Sequence, residues 1–264
     1  MPKLFWRAYE PIAMVIGLGL LAVICLSWTP FALLLNTVLP ATPAKRLGRG
    51  AIRTGFRLYV RLLALFCGCR FDFRELDELV AQGKPLVVVA NHPSLLDAVI
   101  LVSRLPNAVC IMKASLMNNL LLGAGARMAR YIVNDAPLPM IRNAIHELRE
   151  GACLVIFPEG TRTSTPPVGP CAATAGILAA RAGVPVQALL IEMSSLYLGK
   201  HWPIWQPPHL PLTIRVRLGQ RFDILPQPHR FGQEIERYFR AQLEARQTWS
   251  AESKSTAPQD ALNG

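Results

Sequence analysis

At 264 residues the chain is long enough to bury the core of one α/β domain with an added terminal element. A net charge of +11 and a pI near 9.9 accompany a hydrophobic share of 52%. That pairing points to a membrane surface and excludes a simple nucleic-acid binder, which would account for the charge but not for the apolar N-terminus.

No charge lies between Glu10 and Lys45. The stretch is too long for a signal peptide and has no small-residue cleavage site. Ile12 to Trp28 is just long enough to cross a bilayer, and Thr29-Pro30 then interrupts before Phe31 to Leu39. Two full crossings do not fit, which leaves one tilted span or a hairpin that enters one leaflet and returns. A helix of a soluble core is disfavoured, because no polar face breaks so long a run. Lys3 and Arg7 precede the segment, while Lys45, Arg46, Arg49, Arg53, Arg57 and Arg61 follow it. The heavier following cluster places the next domain in the cytoplasm, and positive charge on both flanks favours the hairpin. Ala51 to Phe66 reads as an amphipathic helix whose Arg53, Arg57 and Arg61 stripe suits anionic lipid head groups.

After a short polar stretch, Glu75–Lys84, an alternating strand and helix pattern begins. Strands are predicted at Leu86–Ala90, Ala108–Met112, Tyr131–Val133, Leu154–Phe157, Val184–Ile191 and Leu212–Leu218. Helices are predicted at Ser94–Arg104, Leu116–Met128 (weakened by Gly123 and Gly125), Pro139–Arg149, Ala172–Ala182 and Gly232–Arg246. A Pro- and Trp-rich loop, Lys200 to Pro211, holds His201 and His209, and Thr248 to Gly264 has the composition of a disordered tail. The fold class is therefore α/β, a central mostly parallel sheet flanked by helices with an N-terminal membrane-embedded helical segment. The expected division is 1–72 for the membrane-associated helices, 73–247 for the α/β domain and 248–264 for the tail. Cys25, Cys67, Cys69, Cys110, Cys153 and Cys171 are scattered through apolar runs and read as reduced thiols. Cys67-Gly-Cys69 has no partners at metal-ligand spacing.

Two stretches carry chemistry. The run Leu86-Val87-Val88-Val89-Ala90 ends in Asn91-His92-Pro93. Pro93 holds His92 in extended backbone, at the strand exit where open α/β sheets keep their sites. Asp97 follows on the next helix and can point back at the imidazole, fixing its tautomer and sharpening the other nitrogen as a base. The second run, Leu154-Val155-Ile156-Phe157, ends in Pro158-Glu159-Gly160-Thr161-Arg162. Taken singly, the first pair could be a chance His and Asp, and the second a charged turn. Ser94 most simply supports the helix start, no nucleophile elbow is visible, and His146 sits mid-helix as a surface or packing residue.

Together, the Asn-His-x-x-x-x-Asp and Phe-Pro-Glu-Gly-Thr-Arg stretches closely resemble the glycerolipid and lysophospholipid acyltransferase family, which includes bacterial 1-acyl-glycerol-3-phosphate acyltransferases. The resemblance covers roughly Leu86 to Ile191. It implies a membrane-bound O-acyltransferase that moves a fatty acyl group from acyl-CoA or acyl carrier protein to a lyso-lipid hydroxyl. His92 would be the base and Asp97 its orienter, while Glu159, Gly160, Thr161 and Arg162 would bind the acceptor, Arg162 gripping phosphate. No metal or other cofactor and no nucleic acid is implied. Membrane lipids are, at the inner (cytoplasmic) membrane with the catalytic domain facing the cytoplasm. Many glycerol-phosphate members carry a basic residue where this chain has Asn134 and Asp135, and Lys-rich sequence where it has Ala172-Ala173-Thr174. Proline is common among them at Ala188. Those departures keep two alternatives open: a non-glycerophosphate acceptor (an aminoacyl lipid, a glycolipid or a polyketide-like lipid), and a catalytically silent lipid-binding homologue.

Overall fold

The structure, a computed structural model, describes residues 2–255. It opens with two long helices, α1 (Pro2–Val38) and α2 (Ala41–Phe66). They fold back on each other as an antiparallel hairpin. The Tyr9 hydroxyl donates to the Phe66 carbonyl at 2.5 Å near one end, and Ala32 and Ala44 pack together near the other. Thr29-Pro30 does not interrupt α1 as the sequence suggested. The helix runs through Pro30 unbroken, and the hydroxyls of Ser27 and Thr29 donate to the Ile24 and Cys25 carbonyls of the preceding turn. The bend comes instead at Leu39-Pro40.

Beyond the hairpin, seven strands form one sheet in the order β1-β7-β6-β2-β5-β3-β4. They are β1 (Cys69–Asp72), β2 (Leu86–Ala90), β3 (Ala108–Met112), β4 (Ile132–Val133), β5 (Cys153–Ile156), β6 (Val186–Met193) and β7 (Leu212–Phe222). All neighbours are parallel except β6 and β7. The strands of the middle read as continuous apolar runs because both faces are covered. Alternate residues of β2 divide between them: Val88 and Ala90 pack with α2 and with α4 (Leu96–Arg104), whereas Val87 and Val89 pack with α7 (Pro137–Arg149), α8 (Thr174–Ala182) and α9 (Phe231–Ser255).

Three local readings of the sequence change. The polar stretch after residue 74 is a helix, α3 (Arg74–Ala81), whose Leu76 and Leu79 are buried; its apolar face is narrow enough to be hidden among charges. The helix expected over Leu116–Met128 is two short ones, α5 (Ala114–Met117) and α6 (Gly123–Met128). Between them the Asn119 carboxamide oxygen accepts the Leu121 and Leu122 amides, competing with helical bonding. At the other terminus α9 runs to Ser255, and residues 256–264 of the expected tail lie outside the described residues.

The arginine stripe of α2 also meets a different partner from the one expected. Arg53 donates to the Arg104 carbonyl and Arg57 to the Ser103 carbonyl, at the C-terminal end of α4 where unpaired carbonyls and the helix dipole attract cations. Arg49 is buried, with its guanidinium on Glu147 of α7, the Asn107 side chain and the Ala129 carbonyl, and Lys45 joins it on Glu147. Gly48, between them, lets α2 approach the end of α6 so closely that a Cβ there would lie 2.9 Å from the Ala129 nitrogen. Four of the six basic residues thus clamp the hairpin to the α/β domain. Arg46 and Arg61 remain exposed.

Candidate active site

The site lies at the C-terminal ends of β2 and β5, adjacent parallel strands that deliver both sequence stretches to one mouth. Asn91, the first residue past β2, fixes that strand to β6: its amide nitrogen donates to the Ile191 carbonyl at 2.9 Å, and the Ile191 amide donates back to its oxygen at 2.8 Å. His92 follows. Its Nδ1 lies 2.8 Å from Asp97 Oδ2, one residue into α4, and the same oxygen accepts the Ser94 amide at 2.7 Å. The carboxylate therefore selects the tautomer with the proton on Nδ1, leaving Nε2 as the free lone pair. The imidazole stacks on Phe157, with ring centroids 3.9 Å apart. Its plane and its tautomer are both set from outside the ring.

Asp97 is fully buried, and its Oδ1 finds no hydrogen-bond partner among the described residues. Burial raises the Asp97 carboxyl above its ordinary value, and the bonds from His92 and the Ser94 amide pull the other way. The proton of the pair is held where an imidazolium, once formed, has its counter-ion in contact.

Glu159 joins the two stretches. Its Oε1 accepts the His92 amide at 3.1 Å and the Thr163 hydroxyl at 2.8 Å, and its Oε2 accepts the Gly169 amide at 2.9 Å. The Thr163 amide donates in turn to the His92 carbonyl at 2.7 Å. Gly160 turns the chain between Glu159 and Thr161 with φ +66, a backbone that a side chain would strain. Thr161 is half-buried beside it.

Arg162 is held differently from what a phosphate grip alone would require. Its Nη1 donates to the Leu198 and Gly199 carbonyls at 3.0 and 2.8 Å, in the loop after β6. Leu198 has a φ of +54, and its carbonyl also accepts the Leu95 amide at 3.1 Å. All six expected residues line one region, with His92, Asp97 and Glu159 in a single bonded group and Arg162 tied to them through this loop. Phe157 and Asn91 were inside the stretches singled out from the sequence but were given no part. Leu198 and Gly199 carry no sequence signal at all.

Arg127, Arg130 and Arg142 stand away from the mouth. Arg127 and Arg130 line a cavity of about 420 Å³ beside β4 with Asn36 and Tyr131, and Arg142 lines a groove on α7. Cys171 is the thiol near Glu159, and burial with the charges of Glu159 and Glu236 pushes it up to about 12. Among the described residues no three His, Cys, Asp or Glu side chains gather to hold a metal.

Residues 71–192 match the model of the family described as Acyltransferase, a span that contains all six expected site residues. Over that span the chain is similar to this acyltransferase family. It is accordingly an O-acyltransferase. Among curated proteins, this acyltransferase is 24% identical over 188 residues to the 1-acyl-sn-glycerol-3-phosphate acyltransferase of Pseudomonas aeruginosa, covering 69% of this chain and 70% of that one. It is 31% identical over 147 residues to the human 1-acyl-sn-glycerol-3-phosphate acyltransferase beta, covering 53% of this chain and 52% of the human protein, so it spans about half that relative's length. In fold it is similar to the 1-acyl-sn-glycerophosphate (LPA) acyltransferase PlsC of Thermotoga maritima. That likeness has a TM-score of 0.64 at 17% identity over 92% of this acyltransferase and 98% of the other chain.

Proposed function

We propose that this enzyme acylates a lyso-phospholipid hydroxyl at the surface of a membrane, with 1-acyl-glycerol-3-phosphate as acceptor and acyl-CoA or acyl carrier protein as donor. The observation that carries the reading is the 2.8 Å bond between His92 Nδ1 and buried Asp97 at the mouth of the sheet. His92 Nε2 takes the proton of the acceptor hydroxyl as its oxygen attacks the thioester carbonyl carbon. The tetrahedral intermediate collapses, the carbon–sulfur bond breaks, and the leaving thiolate takes the proton back from the imidazolium. Asp97 stabilises that imidazolium. Glu159 orders the mouth, and Arg162 presents its remaining donors to the acceptor phosphate. The names of the curated relatives support the acceptor.

Membrane association is supported by α1. Leu4–Val38 is long and apolar enough to cross a bilayer. Its exposed residues Leu4, Ala8, Ile12, Val15, Gly19, Val23, Leu26, Pro30 and Leu34 recur at three- and four-residue steps, which makes one uncharged stripe along the helix. Both ends of α1 nevertheless touch the rest of the chain, Glu10 bonding the Leu210 amide and Ala32 packing with Ala124 and Met128. That double attachment favours a helix lying in one leaflet over one that crosses, with the domain on the cytoplasmic side of the inner membrane.

One observation favours a second acceptor class. Arg162 gives Nη1 to two carbonyls, and the start of α8 carries no charge, so a phosphate-free lyso-lipid would lose little there. Purified enzyme supplied with an acyl thioester and either lysophosphatidic acid or a phosphate-free lyso-lipid decides between them by product mass. The proposal expects acylated lysophosphatidic acid, absent with His92→Ala. Turnover of the phosphate-free lipid alone would move the acceptor to the second class.

A further inference from the structure

The loop between β6 and β7 ends in a turn whose composition is the reverse of an ordinary surface turn. The Gln206 amide donates to the Pro203 carbonyl at 3.0 Å, which closes a four-residue turn with Ile204 and Trp205 at its two central positions. Such positions normally carry Gly, Asn, Asp or Ser. Here they carry two large apolar side chains, 65% and 80% exposed. The turn is stiff. Trp202 Nε1 donates to the Gln206 carbonyl at 2.8 Å, Trp202 packs edge-on against Tyr197, and Pro203, Pro207 and Pro208 restrict the backbone around it. An exposed tryptophan on a rigid tip has a disfavoured surface in water and a favoured one at a lipid head-group boundary.

The loop is continuous with α1 on one side and with the active site on the other. Glu10 of α1 accepts the Leu210 amide at 3.1 Å, and His209 lies 3.8 Å from the same carboxylate. Near that contact α1 exposes Leu4 and Phe5 together with Arg7. Toward the tip the loop exposes His201, with Lys200 half-buried beside it, so a lysine cation borders the apolar pair, as suits an anionic lipid surface. At its base Leu198 and Gly199 hold Arg162, and Leu198 also receives the Leu95 amide. The same short loop therefore reaches from the apolar helix to the guanidinium of the mouth.

We propose that the Ile204-Trp205 tip inserts into the head-group region of an anionic bilayer as a second anchor, beside the active-site mouth and separate from the α1 stripe. The inference rests on the membrane reading above and adds to it a contact point that sets the mouth against the lipid surface. Its occupant is the bilayer that holds the acceptor. The tip seats the loop, and the loop holds Arg162 where a lyso-lipid would enter.

The full chain is mixed with vesicles of phosphatidylethanolamine and phosphatidylglycerol brominated on their acyl chains, and its tryptophan emission is compared with that of Trp205→Phe, which keeps the tip apolar. Vesicle flotation is read on the same samples. The expected result is flotation of both proteins with a quenched emission component in wild type that Trp205→Phe lacks. The double variant Ile204→Ser, Trp205→Ser should slow acylation of a vesicle-embedded lyso-lipid roughly tenfold, the scale set by taking one large apolar side chain out of an apolar site. Its turnover of a short-chain, water-soluble lyso-lipid should be unchanged. Flotation with identical quenching in wild type and Trp205→Phe would overturn the anchor and leave the membrane reading standing. Absence of flotation in wild type would overturn both. Equal loss on the two acceptors would overturn the tip's role, because the fault would then lie in the mouth itself.

Discussion

The active-site mouth and the outer side of α1 satisfy their side chains in opposite ways. At the mouth, His92, Ser94, Glu159, Thr163 and Gly169 exchange bonds across β2, β5 and the loops beyond them, and the imidazole has its tautomer and plane fixed before any substrate arrives. Along α1, Leu4, Ile12, Val15, Val23, Leu26 and Leu34 are left exposed. The first region carries its own solvent, made of protein dipoles; the second leaves apolar surface open. Polar groups paired within the chain and apolar groups left open thus fall in different segments of the sequence.

The comparison breaks first at the imidazole. His92→Ala should lower turnover by about 100- to 10,000-fold with folding retained, and Asp97→Asn should follow it closely because the wrong tautomer is then favoured. A folded His92→Ala enzyme with near-normal rate would remove His92 from the chemistry. The next largest effect lies at the junction of the two regions. Glu147→Ala leaves Arg49 buried without its carboxylate and should cost roughly 3 to 5 kcal/mol of stability, measured by denaturant unfolding in detergent.

Acid sharpens the same junction. Burial alone would raise the Glu147 carboxyl, but the bonds and charges of Arg49 and Lys45 hold it below its ordinary value. A depressed folded value means the ion cluster stabilises fully above the ordinary carboxylate range and loses that contribution as pH falls through the depressed value. Wild type should therefore lose thermal stability on acidification more steeply than Glu147→Gln, and parallel curves would remove the cluster from the stability of the hairpin. Smaller again is Arg162→Ala. Loss of a charge-assisted contact should weaken lysophosphatidic acid binding by roughly 1.5 to 3 kcal/mol, seen as a higher KM with kcat largely kept. A fall in kcat alone would assign Arg162 to holding Leu198 and Gly199.

The parts of the site written in short range were legible. Pro93 at the end of an apolar run puts His92 at a strand exit, and Asp97 comes within reach because α4 begins only at Leu96. The parallel sheet followed from strands without polar alternation. What was hidden depends on partners far along the chain. The four-residue spacing of Arg49, Arg53 and Arg57 gives a helix face, yet nothing local tells whether that face meets lipid phosphates or the carbonyl end of α4, since both are negative. Leu198 and Gly199 act through main-chain carbonyls, which every residue has, so no side chain advertises them. Pro30 misled because a proline is read locally as a stop, yet α1 runs through it to Val38.

The burial of Arg49 bears on how the enzyme can be handled. Trimming the N-terminal helices is the usual route to a soluble catalytic fragment. Here the cut would strip Glu147 of both cations, leave the α4 carbonyls uncapped and open the floor under Val88 and Ala90 to water. The hairpin is a wall of the catalytic domain. Preparations of this enzyme must keep it, and with it the exposed apolar side of α1.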